Sequence, residues 1–96
     1  MTALRKYNAR RDANEPNIVR VFKDMGCLVH RLDTPVDLLV KVFKSLRDSI
    51  ILVEVKLPGK DLNDNQRAFL DAGWPVHVVR SEDDAINLIT RLRSGT

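Results

Sequence analysis

The run Ile50-Ile51-Leu52-Val53 is wholly apolar and passes directly into Glu54-Val55-Lys56. Its length and branched side chains suit a buried strand. Side chains two apart on a strand share a face, so Glu54 and Lys56 point the same way. Charges at the end of a buried strand are costly unless they are paired, hydrated or bound to metal. Upstream, Pro35-Val36-Asp37 opens another apolar segment, Val36 to Phe43. If these two strands are neighbours, two carboxylates and an ammonium converge on one small volume. Such a group is equipped to hold a divalent cation and to cut a phosphodiester.

Ninety-six residues allow one domain with one modest core. Apolar residues make up 44% and charged residues 30%, as expected of a globular domain. The longest uninterrupted apolar stretch, Ile50 to Val53, is far too short to span a bilayer. Met1 to Arg11 is polar and basic, without the apolar segment of an export signal. Cys27 is the only cysteine, which excludes an intrachain disulfide and a cysteine-based zinc site. These features lead to the expectation of a cytoplasmic protein.

The net charge of +3 is mild, but its distribution is uneven. Arg5, Lys6, Arg10 and Arg11 crowd the N-terminus, whereas Glu82, Asp83 and Asp84 lie near the other end. A basic arm can neutralise phosphates and release counterions, and it can equally be a solvated tail. The expected division is a flexible arm over 1–11 and a single domain over 12–96.

The spacing predicts a first helix from Asp12–Glu15 to Met25, stopped by Gly26, with Ile18, Phe22 and Met25 as its buried stripe. Asp12-Ala13-Asn14-Glu15 reads as a capping box, with Pro16 tolerated in the first turn. Strands are expected at Cys27–Leu32, Val36–Phe43 and Ile50–Lys56, followed by a helix over Asn63–Ala72 and a strand at Val76–Val79. Ser81 should cap a last helix whose apolar face is Ile86, Leu88, Ile89 and Leu92. The order α-β-β-β-α-β-α implies an α/β fold. Three antiparallel strands, plus a fourth added parallel through a helical crossover, make a mixed four-stranded sheet flanked by helices.

Two further polar residues fall at positions that periodicity assigns to the sheet-facing side of helices. Glu15 continues the stripe of Ile18 and Phe22, and Gln66 precedes Phe69 and Leu70. Magnesium takes oxygen ligands and keeps several waters, so one or two carboxylates plus substrate phosphate suffice. The expected ligands are Asp37 and Glu54, joined by the Val55 backbone carbonyl. Lys56 would orient a water or stabilise charge on phosphorus. Glu15 would hold a second ion or accept a hydrogen bond from metal-bound water, and Gln66 would position water or phosphate. Lys60 and Arg67 flank this group and, with Arg10 and Arg11, are candidates for phosphate contacts.

Asn14-Glu15, Pro35-Val36-Asp37, Glu54-Val55-Lys56 and Asn65-Gln66-Arg67, in this order, resemble the PD-(D/E)XK nuclease superfamily. The likeness is closest to its small single-domain members, the VRR-NUC and archaeal-type Holliday-junction-resolvase-like proteins, including small phage proteins. It covers Arg10 to Leu92. The resemblance implies a restriction-endonuclease-like core and magnesium-dependent hydrolysis of DNA, with manganese as a substitute. Asp37, Glu54 and Lys56 would be the catalytic core, with Glu15 and Gln66 in supporting positions. Branched or junction DNA is the implied substrate, and paired cuts on two strands would require a homodimer. Val36 stands between proline and aspartate, where the family often has none.

Residue by residue, plainer readings exist. Glu54 and Lys56 would also suit a cross-strand ion pair, Asp37 a turn carboxylate, Glu15 a helix cap and Gln66 a first-turn glutamine. The competing readings of the whole chain are a nuclease-like module that binds DNA or protein without cutting, against which the presence of both acids and the lysine argues, and an accessory subunit active only with a partner. His30 and His77 read as strand residues, Cys27 as a small buried hydrophobe, and Trp74 as packing at a helix-to-strand corner.

Overall fold

The computed structural model describes residues 12–95. Arg10, Arg11 and the rest of the expected basic arm lie outside the described residues. The elements run α1 (Glu15–Asp24), β1 (Leu28–Arg31), β2 (Leu38–Val42), β3 (Ser49–Val55), α2 (Asp64–Asp71), β4 (Val76–Val79) and α3 (Glu82–Ser94). The sheet order is β1-β2-β3-β4. The first two pairings are antiparallel, and β4 joins β3 in parallel after the α2 crossover. This is the expected α/β architecture, a mixed four-stranded sheet with helices against it and a helix at the C-terminus.

Alternation along the strands divides the sheet into two unlike faces. Leu38, Val40 and Val42 of β2, with Ile51, Val53 and Val55 of β3, are buried against α1 and α3. Ile18 and Phe22 from α1 and Ala85, Leu88 and Ile89 from α3 complete this core. The opposite face carries Leu39, Lys41, Leu52 and Glu54, and only α2 lies on that side. No residue of α2 is buried, so the expected core face around Phe69 and Leu70 is a partial cover. Ile86 also departs from expectation: it is exposed, because the buried stripe of α3 runs through Ala85, Leu88 and Ile89.

Strand ends differ from the sequence reading by one or two residues, and one difference matters. Regular pairing begins at Leu38, so Asp37 sits in the loop just before β2, where its carbonyl accepts from Leu32 N–H at 2.7 Å. At the other boundary β3 stops at Val55, which puts Lys56 one residue past the strand. A turn follows at once: Lys60 N–H donates to the Leu57 carbonyl at 3.1 Å, with Pro58 and Gly59 between them. Gly59 has φ +83°, which glycine adopts without steric cost. Gly26, at φ +83°, ends α1 in the same conformation.

The expected capping box at Asp12–Glu15 is not formed. Asn14 occupies the N-cap position of α1 but makes no side-chain cap bond. Its amide and the Asp12 carboxylate are directed to the ends of β3 and β4 instead. The last helix is capped as expected, with Ser81 Oγ accepting from Asp84 N–H at 3.0 Å. Cys27 is a buried small side chain. Trp74 stacks on Phe69 with ring centroids 5.4 Å apart while remaining exposed. Among the described residues no helix is long and apolar enough to cross a membrane.

Candidate carboxylate site at the sheet end

β2 and β3 are antiparallel, with Leu38 opposite Val53. One step further, Asp37 lies opposite Glu54, and both side chains belong to the face covered by α2. Asp37 Oδ2 accepts from Val55 N–H at 2.8 Å, so the residue before β2 is fixed to the last residue of β3. A strand residue directs its N–H and its carbonyl to the same flank. The Val55 carbonyl is therefore on the Asp37 side.

Glu54 is 2% exposed, a burial that few carboxylates tolerate without partners. Gln66 Nε2 donates to Glu54 Oε2 from the first turn of α2. The same glutamine closes a capping box. Its Oε1 accepts from Asn63 N–H at 2.9 Å, and its own N–H donates to Asn63 Oδ1 at 2.8 Å. The amide orientation is thus set at both ends: oxygen toward the helix start, nitrogen toward Glu54.

Glu54 is strongly perturbed. Burial pushes the Glu54 carboxyl up from 4.5 to about 8. The Asp37 charge and a hydrogen bond to Asp37 that only protonated Glu54 can donate push the same way. Lys56 partly offsets this, and Asp12 adds to it. A buried carboxylate with a second one beside it favours a bound cation, whether a proton or a metal ion.

Four of the expected site residues are therefore brought together: Asp37, Glu54, Lys56 and Gln66. Glu15 is placed differently. It is 1% exposed and its Oε2 lies 3.4 Å from Arg31 Nε. Arg31 pairs with Leu38 in register, so this ion pair lies on the helix-covered side of the sheet. Periodicity aimed Glu15 at the sheet but could not say which side of it receives the charge. Among the described residues, no group of three or more His, Cys, Asp and Glu side chains is disposed to hold a metal ion. The acids that do meet are the pair Asp37 and Glu54, which suffices for magnesium completed by phosphate and water.

Lys60 and Arg67 are exposed beside the site, Lys60 just after the Pro58-Gly59 turn and Arg67 directly after Gln66. Arg80 joins them, its Nη2 donating to the Lys60 carbonyl at 2.8 Å. Arg80 escaped the sequence reading, and Asp12 and Asn14 were given no contact with the strand ends. Asp12 Oδ2 accepts from Leu57 N–H at 2.9 Å, and Asn14 Nδ2 donates to the carbonyls of Lys56 and Arg80 at 3.1 and 2.9 Å. Their only visible signal was two polar residues before a helix, which local chemistry assigns to capping. His30 is exposed on β1 and His77 is half-buried on β4, its pKa lowered by burial and by Arg91. Compared with protein-family models, curated proteins and solved structures, the chain matches none of them.

Proposed function

We propose that this protein is a divalent-cation-dependent endonuclease that hydrolyses DNA phosphodiesters, with branched or junction DNA as its substrate and a homodimer as its working form. The observation that carries the reading is the meeting of Asp37, just before β2, with Glu54 near the end of β3, with Lys56 just past β3 acting on Glu54 and Gln66 holding it. The residues fit a magnesium ion, with manganese as substitute: the donor set is all oxygen, and burial, followed by the neighbouring Asp37, raises Glu54 to about 8. When bound, the ion supplies Lewis-acid polarisation of the phosphate and acidifies a coordinated water.

The chain's own contribution is orientation and charge. Val55 N–H and Gln66 Nε2 each fix one oxygen of a carboxylate, so neither acid has to reorganise when substrate arrives. Lys56 places a cation on the face where the phosphate would lie and stabilises negative charge as it grows on phosphorus. Exposed Lys60 and Arg67, with half-buried Arg80, offer contacts to the DNA backbone, which position a duplex without reading its sequence. Glu15, held by Arg31, supports the helix layer rather than the carboxylate pair.

Labelled junction and linear duplex DNA, incubated with magnesium, manganese or EDTA, test the reading. Cleavage should require the metal, be lost in Asp37→Asn and Glu54→Gln, and fall by about a hundredfold or more in Lys56→Met, while DNA binding persists. Cutting in EDTA, or full activity in those variants, overturns the mechanism. Binding without cleavage under every condition would make the protein a DNA-binding module. A monodisperse monomer that cuts both strands of a junction would remove the homodimer.

A further inference from the structure

The peptide unit joining Lys56 to Leu57 lies immediately beyond β3, where the sheet ladder has ended, yet both of its polar atoms are taken. The Lys56 carbonyl accepts from Asn14 Nδ2 at 3.1 Å, and Leu57 N–H donates to Asp12 Oδ2 at 2.9 Å. These partners lie 42 and 45 residues away in sequence. Lys56 N–H is also bound, to the Val79 carbonyl at 3.0 Å. Asn14 spends its second amide hydrogen on the Arg80 carbonyl, tying the ends of β3 and β4 together.

Two side chains that precede α1 thus hold one peptide plane from both edges. Asn14 gives up helix capping to do so, for it makes no side-chain bond to the start of α1. Without these contacts the backbone after Val55 would pass into the Leu57–Lys60 turn with only the Val79 bond to hold Lys56. We infer that Asp12 and Asn14 are positioning residues for Lys56: they fix its backbone so that its ammonium stays beside Glu54. The catalytic consequence rests on the nuclease reading above, whereas the clamp itself does not. A reacting group displaced by about 1 Å can lose about a hundredfold in rate.

The experiment has a structural arm and a kinetic arm. In residue-resolved hydrogen exchange, the Leu57 amide should be protected in the wild type. It should exchange at least about tenfold faster in Asp12→Ala and stay protected in Asp12→Asn, whose amide oxygen still accepts. In DNA cleavage, Asp12→Ala and Asn14→Ala should each lower kcat by about ten- to a hundredfold, with KM for DNA changed by less than about twofold. In a Lys56→Ala background, measured with enzyme in excess of DNA, Asp12→Ala should cost less than about twofold more, because its effect passes through the lysine. Multiplying losses in that background, or unchanged kcat despite lost protection, would overturn the role. An unprotected Leu57 amide in the wild type would remove the clamp itself. A wild type that cuts no DNA would defeat the functional reading alone, since amide exchange still decides whether the clamp exists.

Discussion

Glu54→Gln should make this protein more stable at neutral pH while abolishing the cleavage of DNA proposed for it. The substitution copies the protonated carboxyl: the new amide can donate toward Asp37 and its oxygen can accept from Gln66 Nε2. In the wild type the carboxyl is raised from 4.5 to about 8, first by burial and then by Asp37. Between these values the folded state binds more protons than the unfolded chain. The contribution of Glu54 is therefore fully present below about 4.5 and is lost as the pH rises through about 8. Integrating from acid to pH 7 gives a loss of about 3 kcal/mol.

A difference of about 3 kcal/mol corresponds to roughly 10–20 °C in Tm for a domain of this size. Thermal unfolding followed by circular dichroism, at pH 5 and pH 7 in EDTA, reads it directly. The two proteins should differ little at pH 5, and the variant should unfold at the higher temperature at pH 7. Other titrations cancel in the comparison. His77, for example, lies below its ordinary value of 6.5, so its contribution is present above that value and is lost as pH falls, in both proteins. Millimolar magnesium should recover part of the deficit in the wild type and none in the variant, since a ligand stabilises only the form that binds it. A Tm difference independent of pH, or a variant less stable at pH 7, would refute the account of the buried pair.

Gln66→Ala removes the capping box and the tie to Glu54 together. It should cost about 1–2 kcal/mol in urea unfolding and lower cleavage without abolishing DNA binding. Glu15→Gln leaves Arg31 without its buried counter-charge, and a loss of about 1–3 kcal/mol is expected in the same assay. Cleavage abolished by this change with stability intact would instead put Glu15 among the acids of the site. Gly59→Ala meets no atom within 4 Å, so only its φ of +83° is at issue. A cost of about 1 kcal/mol is expected, and a neutral result would show that the turn after Lys56 relaxes freely.

The site's centre was legible because strand geometry is short-range and strict. Alternation put Glu54 and Lys56 on one face, and antiparallel pairing of neighbouring strands set Asp37 opposite Glu54. Helical spacing likewise directed Gln66 toward the sheet, although its capping box with Asn63 went unread. The contacts of Asp12 and Asn14 were not legible. Their partners are main-chain atoms of Lys56, Leu57 and Arg80, which are alike in every sequence, so only tertiary placement selects them. Glu15 shows a related limit. Its periodicity with Ile18 and Phe22 was right, but helix phase does not reveal whether a side chain ends beside Arg31 or beside Asp37.

Chain direction explains why the polar groups gather at one end of the sheet. β2 begins where β3 ends, because the two are antiparallel, and β4 ends beside β3, because those two are parallel. Asp37, Glu54, Lys56 and Arg80 therefore reach the same edge by different routes, and α1 and α2 both begin there. Helix starts present N–H groups and partial positive charge, which suits a place rich in carboxylates. Buried Glu54, beside half-buried Asp37, is unfavourable for folding when it is ionised, by the argument made for Glu54→Gln. The opposite, helix-covered face is continuous from Phe22 to Ile89, and its apolar burial offsets that strain. A chain selected for stability alone would place an apolar side chain at Glu54. The strain at this one edge, relieved by a proton or a cation, is what the proposed hydrolysis would use.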